Sequence, residues 1–377
     1  MSAQNFRKTG WPLRFFILIL FSAAAFAQPI ATQSDQLSAT EFARLINDFS
    51  EPGGYFFSDN FTSNEDSYLT VVDRLHELGA KGGAYIGVGP EQNFTYIAKI
   101  RPHIAFIVDI RRQAIIQHLM YKAIFDLSPT RAEFLSRLLS RPLKADAPGP
   151  KDSVNDIVSY LSTVPTDDNF YAQNLSLIRK RIEEDFKFPL SREDKESLEY
   201  VYKNFQLLGF DIGFDVNLRF NRRFGRLPNL RELLTKKDPN GKEGNFLASK
   251  DDYDFVRDMQ HRNLIIPVVG DFGGNKALAA IAAYLKKHGY TVSVFYVSNV
   301  EIVLFDYGVR NIFPDFVNNV KKLPINERSL FIRSTFWFYR HPEQLPGYRL
   351  CTSLQNISAF LREYDQGLYR EYRDLIK

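Results

Sequence analysis

Cysteine is nearly absent from this chain. Cys351 is alone among 377 residues, so no intrachain disulfide can form and no thiolate cluster can hold a metal. The six histidines (His76, His103, His118, His261, His288 and His341) are scattered. None shows the His-x-x-x-His or carboxylate spacing that metal hydrolysis needs. Neither a Gly-x-Ser-x-Gly elbow nor a Walker loop is present. An excess of one charge is lacking as well: the formal net charge is +4, too small and too dispersed to form the basic field that nucleic acid requires.

An apolar run long enough to span a bilayer, about 20 residues, is also missing. Phe15 to Ala24 is the nearest approach, and it follows a basic stretch holding Arg7, Lys8 and Arg14. Ala25-Phe26-Ala27 then supplies a small-x-small cleavage pattern before Gln28. Residues 1–27 are therefore expected to be a secretory signal, leaving an exported protein, periplasmic or secreted, with no stable membrane anchor. Removing its three basic residues leaves 45 basic against 44 acidic side chains, a net of +1 for the mature chain. The hydrophobic share of 45% and charged share of 24% suit a globular domain with an ample core. Four Asn-x-Ser/Thr sequons, at Asn60, Asn93, Asn174 and Asn356, are read as chance.

What is present is organised around AYIGVGPEQNFTYIAKIRPHIAFIVDIRR, Ala84 to Arg112. It reads as strand, glycine turn, short helix, strand and acid. Gly87 and Gly89 let the backbone turn sharply and approach a ligand. The helix from Glu91 to Ile100 directs its first N–H groups and positive dipole end into the same space. Ile104 to Val108 is a continuous apolar run, as in a parallel strand covered on both faces. Asp109 follows, 20 residues after Gly89, the spacing that puts a carboxylate beside a ribose in a nucleoside-binding crossover. A ligand-free turn with Asp109 as a helix cap is the alternative.

Before this stretch, helices are expected from Ser38 to Phe49 and Tyr68 to Leu78, with Tyr55-Phe56-Phe57 as core or pocket wall. After it, Arg111 to Phe125 reads as an amphipathic helix. Arg111-Arg112 is placed either to meet a phosphate or carboxylate ligand or to form a solvated or salt-bridged pair at a helix start. Residues 140–250 interrupt the alternation with a linker (Lys144 to Pro150) and helices at Asp156–Leu161, Ala172–Phe186 and Glu193–Leu208, a helical insertion that covers the sheet. Arg219, Arg222, Arg223 and Arg226, with Arg231 nearby, could hold an anionic substrate or form a solvated helix face or an ion-pair surface. Alternation resumes with strands at Leu264–Val269, Thr291–Val297 and Ser329–Phe338. Helices are expected at Lys276–His288, capped by Asn275, and at Phe313–Lys322, and one or two from Ser353 to Leu375. Strand ends carrying Gly, Asp, Asn or Glu would line one crevice.

The segments GVGPEQNFTYIA, AFIVDIRR, PVVGDFGGNKAL and FYVSNVE together resemble an uncharacterised bacterial family similar to class I S-adenosylmethionine-dependent methyltransferases. The resemblance covers about Tyr85 to Phe305. It implies an α/β fold, a Rossmann-like methyltransferase-type sheet with helices on both faces, and a helical insertion. It also implies S-adenosylmethionine or a related nucleoside as ligand. Gly87 and Gly89 match the turn at the methionine part, with Glu91 and Asn93 beside it. Asp109 matches the acid on the ribose and Asp271 the acid near the adenine amine. Asn299 and Glu301 are the implied groups toward an acceptor. The chain departs from the pattern in having Tyr85 where an acid usually precedes the first glycine, Glu91 in place of a third glycine, and Ser298-Asn299-Val300-Glu301 where Asn-Pro-Pro-Tyr could stand. Three functions are consistent with these residues: methyl transfer, ligand binding without transfer, and a structural role in which the motif residues only cap helices and strands.

Overall fold

A computed structural model describes Met1 and residues 36–215, 226–305 and 311–376. The stretch expected to be a secretory signal, apart from Met1, and Arg219, Arg222 and Arg223 lie outside the described residues. Ser34–Lys377 is a single unit. In chain order its regular elements begin with α1 (Ala39–Phe49), α2 (Val72–Glu77), β1 (Ala84–Gly87), α3 (Gln92–Ile100), β2 (Ile104–Asp109) and α4 (Arg112–Leu127). After α5 (Arg131–Leu138), the insertion contributes α6 (Val154–Thr163), α7 (Asp168–Lys180), α8 (Arg192–Leu208) and α9 (Leu230–Leu234). The chain then returns through α10 (Lys250–His261), β3 (Ile265–Val269), α11 (Ala277–Lys287), β4 (Val292–Ser298), α12 (Val300–Phe305), α13 (Phe313–Val320), β5 (Leu330–Phe336), β6 (Leu350–Asn356) and α14 (Ile357–Asp365).

The six strands form one sheet in the order β3-β2-β1-β4-β5-β6. All neighbours are parallel except β5 and β6. This is a Rossmann-like α/β sheet, as the alternation of apolar runs and helical patterns predicts. Every residue of β1, β2 and β3 is buried, as helices on both faces require. One helical layer links α3 and α4 through α10, and the other links α1, α11 and α13. The order reverses at β1, which pairs with β2 on one side and β4 on the other. The crossovers leave a gap there, above the carboxyl ends of the strands.

Three expectations change. The last strand was not foreseen: Leu350–Asn356 pairs antiparallel along the whole of β5, and the closing helix begins only at Ile357. Helical periodicity from Ser353 onward runs across this boundary, and no local signal separates the two. The helix after Asp109 is not amphipathic. Ala114 to Phe125 is buried all round, because α7 and α8 of the insertion pack on its outer side. Lys122 is enclosed there between the rings of Phe42 and Phe186. The second expected helix is short: only Val72–Glu77 is α-helical, preceded by turns.

Candidate functional site

A cavity of about 440 Å³ opens above the carboxyl ends of β1, β2, β3 and β4, within the size range of small-molecule sites. Aromatic and aliphatic side chains make most of its wall, including Phe56, Phe57, Phe214, Phe272, Tyr296 and Leu304. Tyr55 stands at the edge, 83% exposed. The triplet Tyr55-Phe56-Phe57 is thus pocket wall. Among the residues singled out from the sequence, Gly89, Asp109, Asp271 and Asn299 line this cavity, and Gly87, Glu91, Asn93 and Glu301 do not.

The glycine turn explains part of that division. Gly89 has φ +80° and open space where a Cβ would lie, so its backbone faces the cavity. Gly87 answers a different need: a Cβ there would come within 2.0 Å of Asn93 Oδ1 and 2.7 Å of the Tyr85 ring. Asn93 is fully buried and is committed to the turn. Its Nδ2 donates to the carbonyls of Val88, Gly89 and Pro90 at 2.8–3.0 Å, and its Oδ1 accepts from Tyr85 Oη at 2.9 Å. Tyr85, standing where an acid was expected, is therefore the anchor of the turn. His118 Nε2 lies 2.8 Å from the Gly89 carbonyl. Burial lowers its pKa to about 4, so the neutral ring donates this bond.

Glu91 sits behind the turn, 5% exposed. Oε1 accepts from the Ser63 N–H at 3.2 Å, and Oε2 is buried without a partner among the described residues. Burial raises its pKa to about 7.

At the end of β2, Asp109 is held by Arg111. The Arg111 backbone N–H and Nε donate to Oδ1 at 2.9 and 3.1 Å, and Nη2 donates to Oδ2 at 2.8 Å. Both groups are almost fully buried, and Arg111 also donates to the Asp59 carbonyl. The alternatives left open for Asp109 and Arg111 thus resolve into one pair, with most of the acid's acceptor capacity used. At the end of β3, Asp271 Oδ1 accepts from Gly273 N–H at 2.9 Å, and burial raises the carboxyl pKa.

The N-terminus of α11 is also filled from within. Glu51 Oε1 accepts from the Lys276 and Ala277 N–H groups at 2.8 and 2.7 Å, and Oε2 accepts from Asp271 N–H at 3.3 Å. This distant carboxylate, not Asn275, caps the helix. Gly274 is needed because a Cβ there would meet Glu51 Oε2 at 2.3 Å.

β4 brings the largest revision. Glu301 is 1% exposed and forms a buried ion pair with Arg333 on β5, with Nη2 donating to Oε1 at 3.0 Å. Gln355 joins the pair, and Arg333 lies over the Phe331 and Phe360 rings. Such a carboxylate cannot address an acceptor in the cavity. Asn299 does line the cavity, and its Nδ2 is buried in the wall without a hydrogen-bond partner among the described residues. Beside it, Ser298 has φ +54°, a left-handed conformation costing a non-glycine residue about 1–2 kcal/mol. The ladder with β5 slips between Tyr296 and Ser298, the kind of bulge that re-aims a side chain.

That re-aimed hydroxyl finds a carboxylate the sequence did not mark. Glu65, from the loop after Asn60, is completely buried. Its Oε1 accepts from Ser298 Oγ at 2.5 Å and Tyr296 Oη at 2.7 Å, and its Oε2 from Gln92 Nε2 at 2.9 Å. Burial raises its pKa against these donors. Ser63 closes the network: Oγ donates to Gln92 Oε1 at 2.5 Å and accepts from the Glu65 N–H. Among the described residues, no group of three or more His, Cys, Asp or Glu side chains is arranged to hold a metal. Of the arginine cluster, the described members are engaged away from the cavity: Arg226 pairs with Glu232 and Arg231 donates to Ser162.

The chain belongs to the family described as "Domain of unknown function (DUF7790)", whose profile matches residues 60–163 and 157–376. No curated protein matches the sequence.

Proposed function

We propose that this protein binds a nucleoside-type small molecule, of the S-adenosylmethionine class, in the crevice above β1–β4. The observation that carries the reading is the cavity itself. It lies at the reversal point of a parallel sheet, has predominantly apolar walls, and is reached by the open backbone of Gly89 and the carboxyl of Asp271. Gly89 would border the amino-acid part of the ligand. Asp271, with Oδ2 not used by the Gly273 bond, would accept from an adenine amine. The ribose position fits less well, because Arg111 occupies Asp109; a ribose hydroxyl would share that acid with the guanidinium.

Binding without transfer is favoured over methyl transfer by one observation: Glu301 is sealed against Arg333. Export, with a mature chain starting at Gln28, belongs to the same proposal. Among the described residues no helix is long and apolar enough to cross a membrane.

The test is thermal shift and calorimetry with S-adenosylmethionine, S-adenosylhomocysteine, adenosine and sugar nucleotides. A ligand at 100 times its Kd should add about 2.7 kcal/mol of stability. Asp271→Ala should reduce the gain for adenine compounds. If none of them shifts the transition, the nucleoside reading fails.

A further inference from the structure

We propose that Ser298 is a nucleophile, with Glu65 as its base and Asn299 as oxyanion donor, acting on carboxylic esters whose apolar acyl group fills the cavity. This goes beyond nucleoside binding and does not depend on it. Three independent features meet at one turn. Ser298 ends β4 in a left-handed conformation two residues before α12 begins, so a strained strand-to-helix turn presents its side chain at the cavity. Its hydroxyl donates to Glu65 Oε1 at 2.5 Å, the short contact of a hydroxyl on a carboxylate, so the nucleophile touches the base that would take its proton. The next residue, Asn299, holds an unpartnered amide donor in the same wall, and a buried donor without an acceptor is uncommon.

The surroundings suit the chemistry. Ser298, Tyr296 and Gln92 donate to the Glu65 carboxylate, and all three are neutral. Among the described residues no salt bridge neutralises it, in contrast to Asp109 and Glu301. Phe272, Val303 and Leu304 in the wall offer an apolar acyl group its place. Ser298 Oγ forms a bond to the ester carbonyl carbon while its proton passes to Glu65 Oε1. The carbonyl oxygen becomes an oxyanion and accepts from Asn299 Nδ2. The C–O bond to the leaving alcohol then breaks, and the alcohol takes the proton from Glu65. Water attacks the acyl-serine, Glu65 accepts the water proton, and that proton returns to Ser298 Oγ as the acid departs.

The experiment treats the full mature chain with a fluorophosphonate probe and with p-nitrophenyl butyrate. Intact mass, peptide mapping and p-nitrophenolate release are read. Wild type should carry one adduct, on Ser298, and show a burst of release. Ser298→Ala should lose both, and Asn299→Ala should lower ester turnover about 100-fold. Glu65→Gln should slow labelling about 100-fold or more. If Glu65→Gln does not fold, Glu65→Asp decides instead: it keeps the acid but withdraws it by one methylene, and should also label slowly. Absence of a Ser298 adduct in wild type, or labelling at wild-type rate in the folded Glu65 variant, overturns the proposal. Labelling without any nucleoside-induced shift upholds the nucleophile and sinks the nucleoside reading; the opposite pair of results does the reverse.

Discussion

Replacing Glu91 by Gln should make the protein more stable at alkaline pH, by an amount that depends on pH in a defined way. The carboxyl is 5% exposed, receives one hydrogen bond from Ser63, and has a second oxygen with no partner. Burial raises its pKa from 4.5 to about 7. The unfolded chain therefore releases this proton near pH 4.5, while the folded chain holds it to about pH 7. Between those values the folded state binds more protons, so stability falls as pH rises. Above them the whole penalty is present, about 3 kcal/mol at about 1.36 kcal/mol per pH unit. Glutamine carries no such charge. It does leave an amide that must find an acceptor, an offset of about 1–3 kcal/mol that is constant with pH. The clean quantity is thus the change in the variant's advantage between pH 4 and pH 8.5, expected to be about 3 kcal/mol in the variant's favour. Urea denaturation of both proteins at the two pH values measures it. Glu65, Asp271 and His118 titrate in both proteins and cancel in the difference. An advantage that is the same at both pH values would refute the reasoning.

Asp109→Ala should cost about 3–5 kcal/mol in the unliganded protein, because Arg111 is left buried without its acid; a loss below about 1 kcal/mol, within the scatter of surface changes, would show that Arg111 escapes to water. Glu301→Ala should cost a similar amount by stranding Arg333, and urea denaturation measures both. Gly87→Ala should destabilise more than Gly89→Ala. The first forces a Cβ into Asn93 and Tyr85, while the second adds about 1–2 kcal/mol of backbone strain in open space. The reverse order of melting temperatures would contradict the packing account.

Much of the sheet was legible because its signals are local. The apolar runs at Ala84, Ile104, Leu264 and Thr291 are β1, β2, β3 and β4 within one or two residues. The first helix follows from apolar spacing and from its start at Ser38, which caps it. What escaped was set by tertiary contact. Leu350–Asn356 becomes a strand because β5 offers an edge, and polar Thr352 and Ser353 gave no alternation to find. The true cap of α11 comes from Glu51, more than two hundred positions away. No window of sequence contains both partners.

The same reasoning separates the carboxylates that a strand-end rule selects from those the cavity can use. Asp109 and Glu301 were chosen because an acid at the carboxyl end of a parallel strand usually faces the crevice. That rule fixes where the backbone ends; it says nothing about which cation reaches the side chain. Arg111 follows two residues later and folds back, and Arg333 reaches Glu301 from the adjacent strand, so both acids are neutralised. Glu65 lies in a polar loop and satisfies no such rule. It enters the interior through Ser63, Gln92, Tyr296 and Ser298, neutral groups that lower the cost of burying a carboxylate without cancelling its charge. Burial raises the pKa of this acid, and its hydroxyl and amide donors leave it without a cation partner. For acid–base work at the end of β4, the residue that matters is therefore the one whose sequence neighbours give least notice of it.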